Sequence, residues 1–170
     1  MQNLDVNSLF QQLLHYRDRH ADFSTLGPWL KHQVIACSFP DINQLPFESG
    51  TYTRNYMARE KPNEDQGFEA LIIRWDKRAK TPVHGHPTFS FYHVITGLFN
   101  MEIFTDTGKD GWHLQKTQLF CPSDTTWFLG KPGRYDNFIH RITCLEPGHT
   151  FHIYSDNAQK GMFLSKNQKI

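Results

Sequence analysis

Residues 82–97 read PVHGHPTFSFYHVITG, a stretch in which two histidines precede the start of a predicted β-strand. Because side chains alternate between the two faces of a strand, His84 and His86 lie on the same face. A third imidazole from a distant strand, such as His140, can converge with them on one metal ion. The chain has 10 histidines, so the pair alone is also consistent with two surface residues on a loop.

Composition indicates one globular domain that binds neither nucleic acid nor membrane. The 170 residues are 38% hydrophobic and 21% charged, with a formal net charge of +1. These proportions are typical of a folded domain. We find no basic run for nucleic acid, no apolar run of membrane-spanning length and no signal-peptide pattern at the start.

The three cysteines are far apart in sequence, at positions 37, 121 and 144. An odd number without a Cys-x-x-Cys pattern argues against a disulfide framework and against a thiolate metal site. We therefore expect a cytoplasmic protein. The sequence does not determine the oligomeric state, and we expect a monomer.

The chain divides into three segments that we assign to one domain. Residues 1–47 are predicted to form helices that pack on a barrel, 48–156 the β-barrel core and 157–170 a C-terminal tail. One predicted helix carries the apolar stripe Leu9, Phe10, Leu13 and Leu14, with Asn7 or Ser8 as its cap. A second begins near Pro28, with Trp29, Leu30 and Val34 facing inward.

From about Thr51 the pattern changes to short strands with period-2 alternation. Turn signals such as Thr96-Gly97 and Pro147-Gly148 separate them. Many short strands with regular turns indicate a mainly β, antiparallel barrel or jelly roll with N-terminal helices. The predicted strands are Thr51–Ala58, Phe68–Trp75, Phe89–Ile95, Phe99–Asp106, Trp112–Gln118, Thr126–Leu129, Phe138–Thr143 and Thr150–Ser155.

The histidine stretch resembles the first motif of the cupin family, in which His-x-His is followed by a glutamate ligand and then a glycine. Here Ser90 stands at the glutamate position and Gly97 at the glycine position. His140 would be the ligand of the second motif, where Asn137 replaces the usual glycine and tolerates a positive φ. The resemblance implies a cupin-like barrel whose metal site has lost its carboxylate.

The missing carboxylate changes the charge of the site. Two histidines and one carboxylate leave one net positive charge on Fe(II), whereas three neutral imidazoles leave two. The second arrangement favours anionic ligands such as a thiolate, and it leaves three adjacent coordination positions open for a chelating substrate and O2.

Two further stretches are informative, Tyr52-Thr53-Arg54-Asn55 and Thr150-Phe151-His152-Ile153-Tyr154-Ser155. Alternation places Thr150, His152 and Tyr154 on one strand face. A hydroxyl, an imidazole and a phenol in line can form a hydrogen-bonded relay that orients the phenol over a metal. The alternative is an ordinary strand of mixed polarity.

With the three histidines, these motifs resemble the thiol dioxygenase family, and the cysteine dioxygenases in particular, over about residues 45 to 155. The resemblance implies that a non-haem Fe(II) cofactor is bound by His84, His86 and His140. It implies that Tyr154 lies beside the bound thiol and O2, held by His152 and backed by Thr150 in place of the usual serine.

The same resemblance assigns the substrate pocket. Arg54 would bind the substrate carboxylate, a task suited to a planar guanidinium that is always charged. Tyr52 would line the pocket near Arg54, and Ile73 and Trp75 would give it apolar walls. Ser90 stands where animal members have a cysteine that crosslinks to the active-site tyrosine, so the resemblance is to the bacterial type.

The expected activity is oxidation of L-cysteine by O2 to cysteine sulfinic acid. The expected partners are a small-molecule thiol and O2, with no nucleic acid and no membrane. Related 3-mercaptopropionate dioxygenases usually have glutamine at the position of Arg54, so the arginine favours cysteine. The alternatives are a dioxygenase of another small thiol and a non-catalytic metal-binding cupin.

Overall fold

A computed structural model describes residues 4–20, 22–106, 111–161 and 163. Most of the predicted C-terminal tail, residues 162 and 164–170, lies outside the described residues.

Helices come first along the chain and strands dominate afterwards. The helices are α1 (Val6–Asp18) and α2 (Leu26–Val34). The strands are β1 (Leu4–Asp5), β2 (Cys37–Ser38), β3 (Tyr52–Arg59), β4 (Glu69–Trp75), β5 (His84–His86), β6 (Phe89–Asp106), β7 (Trp112–Phe120), β8 (Thr125–Leu129) and β9 (Asn137–Tyr154).

One antiparallel sheet forms the barrel. Its strands follow the order β3-β4-β9-β6-β7, while β5 pairs with β9 and β8 pairs with β6. A separate parallel pair joins β1 to β2 ahead of the barrel. The predicted fold class, a mainly β antiparallel barrel with N-terminal helices, is confirmed.

The two longest strands correct the predicted strand boundaries. β6 runs through the predicted turn at Thr96-Gly97, and β9 runs through Pro147-Gly148, so each joins two strands that the sequence separates. The two bends pack closely against each other within the antiparallel pair, and a Cβ on Gly148 would lie 2.1 Å from the Thr96 carbonyl oxygen. Gly97 has a φ of +91°, which glycine adopts without steric cost. The turn residues therefore make close-packed bends within paired strands.

The central strands are buried on both faces, which explains why they contain uninterrupted apolar runs such as Leu71-Ile72-Ile73. Alternate residues of β4, β6 and β9 face the helices, and the residues between them face the barrel interior. Burying one such leucine or phenylalanine fully stabilises the fold by about 1.5–3 kcal/mol. The outer cluster contains Leu9, Phe10, Leu13, Leu26, Leu30, Ile72, Phe89, Phe91, Phe151 and Ile153.

The first helix begins two or three residues earlier than its predicted caps suggest. Asp5 is the N-cap, and its carboxylate accepts a hydrogen bond from the Ser8 backbone N–H at 2.7 Å. Asn7 and Ser8 lie inside the first turn, so the predicted cap is wrong. Neither α1 nor α2 has the length and apolar character needed to cross a membrane.

Candidate metal centre

Three histidines meet where β5 pairs with β9. His84 lies opposite His140 in the antiparallel register, and His86 follows two residues later on the same strand. All three side chains are buried, and one ring nitrogen from each lies within 4.8 Å of the others. This spacing suits one ion bound by three imidazoles.

Backbone carbonyls fix the orientation of two of these rings. His84 Nδ1 is 2.9 Å from the Pro82 carbonyl oxygen, and His140 Nδ1 is 2.8 Å from the Phe138 carbonyl oxygen. A carbonyl oxygen only accepts, so each ring donates its Nδ1–H and keeps a lone pair on Nε2. Outer partners of this kind set the tautomer that metal-binding histidines use.

Unpartnered nitrogens in the buried site fit a bound metal. His140 Nε2 and both ring nitrogens of His86 are buried and have no hydrogen-bond partner among the described residues. An unsatisfied buried polar atom costs about 1–3 kcal/mol. A divalent ion bound by these nitrogens would remove that cost.

The three imidazoles are neutral at pH 7. Burial lowers the pKa of His84 to about 4. Burial also holds the pKa values of His86 and His140 well below the ordinary range, and the neighbouring histidines lower them further. Neutral imidazole is the form that binds a metal, so no proton has to leave when an ion enters.

No carboxylate joins the cluster within the described residues. Ser90, at the position of the cupin glutamate, is fully buried and lies opposite Tyr154 in the sheet. Its hydroxyl has no hydrogen-bond partner in the described part of the chain. The site therefore consists of three neutral nitrogen donors.

A chain of hydrogen bonds runs along β9 beside the histidines. Thr150 Oγ1 is 2.6 Å from His152 Nε2, and His152 Nδ1 is 2.8 Å from the Tyr154 hydroxyl. Trp75 Nε1, from β4, lies 2.7 Å from Thr150 Oγ1. The structure thus contains the relay of Thr150, His152 and Tyr154 that alternation predicts, and Trp75 extends it.

Trp75 and the neutral His152 ring limit the directions of these hydrogen bonds. An indole N–H only donates, so the Thr150 oxygen accepts the hydrogen bond from Trp75. A neutral imidazole has one N–H donor and one acceptor nitrogen, so His152 donates to one of its two hydroxyl partners and accepts from the other. When the ring proton is on Nδ1, the Tyr154 oxygen accepts it and the phenolic proton is free to donate into the cavity. Burial lowers the pKa of His152 to about 3, which agrees with a neutral ring holding one proton.

One small cavity brings the predicted site residues together. Thr150 is the exception, because it lies one hydrogen bond behind His152. Arg54 is half-buried, and its guanidinium carbon lies 5.1 Å from the centre of the Tyr52 ring. Its charge contributes to lowering the pKa values of His84 and His152. The predicted site residues that line the cavity are Tyr52, Arg54, Ile73, Trp75, His84, His86, His140, His152 and Tyr154.

The sequence reasoning missed Tyr92. Its buried ring lies 5.5 Å from the ring of His140 and 4.9 Å from that of His152, measured between centroids. Its hydroxyl has no hydrogen-bond partner among the residues described. Period-2 alternation from Ser90 places Tyr92 on the same strand face, so the sequence does contain the signal that identifies it.

The predicted role of Asn137 is also corrected. The positive φ in this segment belongs to Phe138, at 48°. The Asn137 side chain instead accepts from the Lys131 backbone N–H and donates to the carbonyls of Lys131 and Arg134. Asn137 thus holds the loop before β9, and Phe138 makes the bend that leads to His140.

Comparisons with known proteins identify the fold. No protein-family model matches the chain, and no curated protein matches it significantly. A conserved protein with a double-stranded β-helix domain from Klebsiella pneumoniae subsp. pneumoniae aligns with a TM-score of 0.53 and 14% identity, over 76% of this chain and 97% of that one. A cupin superfamily protein from Desulfitobacterium hafniense DCB-2 aligns with a TM-score of 0.52 and 10% identity, over 69% and 88%.

A cupin 2 domain-containing protein from Halorhodospira halophila gives a TM-score of 0.50 and 13% identity, over 73% of this chain and 77% of that one. At sequence identities of 10–14%, this structural similarity identifies the fold and not the function. The chain has the cupin fold, a double-stranded β-helix.

Proposed function

We propose that the protein is an Fe(II)-dependent thiol dioxygenase that converts L-cysteine and O2 to cysteine sulfinic acid. Both oxygen atoms go to the sulfur, so no external reductant is required. One observation carries the proposal: a three-imidazole face without a carboxylate, a guanidinium and a relay-held phenol line the same small cavity.

The donor set favours a thiolate. His84, His86 and His140 are neutral, so a divalent ion bound by them keeps its full positive charge. Bound Fe(II) would supply the redox chemistry of the oxidation and an electrostatic anchor for the thiolate. Burial of all three ligands excludes water, which strengthens charge interactions within the cavity.

Arg54 is the proposed carboxylate-binding residue. Its guanidinium makes no hydrogen bond or ion pair with any described residue, although it lines the cavity and lies over Tyr52. A half-buried guanidinium without an anionic partner is suited to bind one from the substrate, through two parallel hydrogen bonds. A carboxylate bound there holds the rest of a small thiol against the histidine face.

Tyr154 is the proposed proton donor to the reacting atoms. The hydrogen bonds from Trp75 through Thr150 and His152 end at its hydroxyl. In the proposed tautomer His152 carries its proton on Nδ1 and donates to the Tyr154 oxygen, so the phenolic proton is free for the cavity. Burial raises the pKa of Tyr154 well above its usual range, which keeps the phenol protonated. A protonated phenol can donate a hydrogen bond to an oxygen that gains negative charge during the reaction.

The test is oxygen uptake by protein loaded anaerobically with Fe(II). L-cysteine, 3-mercaptopropionate and cysteamine are compared, with sulfinate products measured by mass spectrometry. We expect the highest kcat/KM with L-cysteine. A preference for 3-mercaptopropionate would indicate that the enzyme is a dioxygenase of a small thiol other than L-cysteine. Metal binding without oxygen uptake for any of the three would favour a non-catalytic metal-binding cupin.

A further inference from the structure

A second cavity lies inside the barrel behind the candidate metal centre. The space open to the centre of a water-sized molecule is about 20 Å³, which is room for about one molecule the size of water or O2. Most of its wall is apolar and comes from β6, β7 and β9, with Val94, Phe99, Met101 and Phe120 among the lining residues. Its outer end lies at Asp124, in the turn between β7 and β8.

Three polar side chains in the wall of this cavity, Thr150, His152 and His93, are already hydrogen-bonded, whereas the Tyr92 hydroxyl has no partner among the described residues. Thr150 Oγ1 bonds to Trp75 Nε1 and His152 Nε2, and His152 Nδ1 bonds to Tyr154. His93 Nδ1 lies 3.0 Å from Thr125 Oγ1. A trapped water needs about two to four polar partners, and this wall offers few free ones. The interior end of the cavity is therefore an apolar, dry space.

The two cavities share a wall. Tyr92, Ile142 and His152 line both the apolar cavity and the cavity that contains the three histidines. The space on one side of these residues faces Arg54 and the imidazoles, and the space on the other faces mostly apolar side chains. A side-chain movement of Tyr92 or Ile142 would join the two.

We propose that the apolar cavity binds molecular oxygen and delivers it to the histidine face past Tyr92 and Ile142. The delivery role rests on the proposed dioxygenase function. O2 is small and apolar, so it gains dispersion contacts in such a cavity and displaces no hydrogen-bonded water. A charged thiol is excluded from the apolar side by the cost of desolvating its charges. The two reactants thus enter through different cavities.

The decisive experiment measures O2 in the cavity without requiring turnover. O2 is paramagnetic and speeds the relaxation of nearby methyl groups in NMR. In the full chain loaded with Zn(II) and equilibrated under O2 pressure, we expect severalfold larger enhancements at Val94, Met101 and Ile142 than at Leu9, Leu13 and Leu30. The three leucines are equally buried methyl-bearing controls in the helix-covered core. Equal enhancements in the two groups would overturn the proposal.

A cavity-filling variant supplies the second readout. Val94→Leu adds one methylene to the wall at a position outside the histidine cavity. We expect it to reduce the enhancement at Met101 severalfold, and to raise KM for O2 while KM for the thiol stays unchanged. Leu119→Ile, an exposed change on β7, is the matched control. Reduced enhancement with unchanged KM for O2 would overturn the delivery role.

The two proposals fail in different ways. If no thiol supports oxygen uptake, the dioxygenase function and the delivery role both fall, whereas the Zn(II) experiment still decides whether the cavity binds O2. If the methyl groups show no selective enhancement, the cavity proposal fails even when thiol oxidation is rapid.

Discussion

The ring of His86 lies flat against the ring of Tyr154, with centroids 5.0 Å apart and planes 2° from parallel. The two residues come from β5 and β9, so the stack ties a candidate metal ligand to the end of the relay. Neither ring nitrogen of His86 has a hydrogen-bond partner among the described residues, so packing fixes its orientation. The position of the phenol is therefore set relative to the histidine face before any ligand binds.

Replacing His86 by alanine should abolish tight metal binding. Loss of an outer partner of a ligand typically costs about 10–100-fold in metal affinity, and loss of the ligand itself should cost more. Calorimetric titration with Zn(II) and Fe(II) measures the effect. His113→Ala removes an exposed histidine and is the matched control. Equal affinity in both variants would mean that the three histidines are not the metal site.

Arg54→Gln should weaken turnover of carboxylate-bearing thiols selectively. A charge-assisted hydrogen bond is worth about 1.5–3 kcal/mol, so kcat/KM for L-cysteine should fall by about 10–100-fold. Cysteamine has no carboxylate and should lose little. Steady-state oxygen uptake with both substrates gives the comparison. If both fall equally, Arg54 has a structural role.

The relay should require the Thr150 hydroxyl and not its methyl group. Thr150→Val keeps the shape and leaves His152 Nε2 and Trp75 Nε1 without their partner. We expect a loss of stability of about 1–3 kcal/mol and a lower kcat with an altered pH profile. Thr150→Ser keeps the hydroxyl and removes the methyl group, so it should restore the pH profile. If Thr150 acted only through the packing of its methyl group, the Ser variant would not restore it. A Ser variant that behaves like Val would contradict the relay.

Stability of the metal-free protein should fall as the pH is lowered from about 6.5 to about 4. In the unfolded chain the imidazoles gain protons near pH 6.5, whereas burial lowers the pKa of His84 to about 4 and that of His152 to about 3 in the folded protein. The unfolded state thus binds more protons in this range, which reduces the free energy of unfolding. Urea denaturation across the range measures it, and a flat profile would contradict the burial of neutral histidines.

Gly148→Ala should destabilise the fold strongly. The new Cβ would lie 2.1 Å from the Thr96 carbonyl oxygen, so the paired bends of β6 and β9 must move apart. Gly133→Ala is the control, because Gly133 has a φ of +70° and no other atom within 4 Å of the added carbon. It shows the cost of a left-handed backbone without a steric clash, about 1–2 kcal/mol. Thermal unfolding of both variants should give a much larger loss for Gly148.

Local patterns were sufficient to predict the barrel, the helices and the spacing of the candidate ligands. Alternation along one strand puts His84 and His86 together and aligns Thr150, His152 and Tyr154. The continuity of β6 and β9 was not predictable in this way, because Thr96-Gly97 and Pro147-Gly148 are strong turn signals by themselves. Only the pairing of these two strands turns them into bends.

The contact between Trp75 and Thr150 depends on the register of β4 against β9. Trp75 lies opposite Gly148, and Thr150 lies opposite Ile73, so the indole reaches across to a diagonal neighbour. No local signal in either strand fixes that register. The sequence therefore predicts Trp75 as an apolar wall and misses its hydrogen bond.

The segment after β9 crosses back over the histidine strand. Gly161 packs against the Gly85 carbonyl, Phe163 stacks on His84 with ring centroids 6.2 Å apart, and Ala158 lines the histidine cavity. This segment therefore covers one side of the histidine cluster. An ion bound by the three histidines would be enclosed on that side by chain that follows the last of them in sequence.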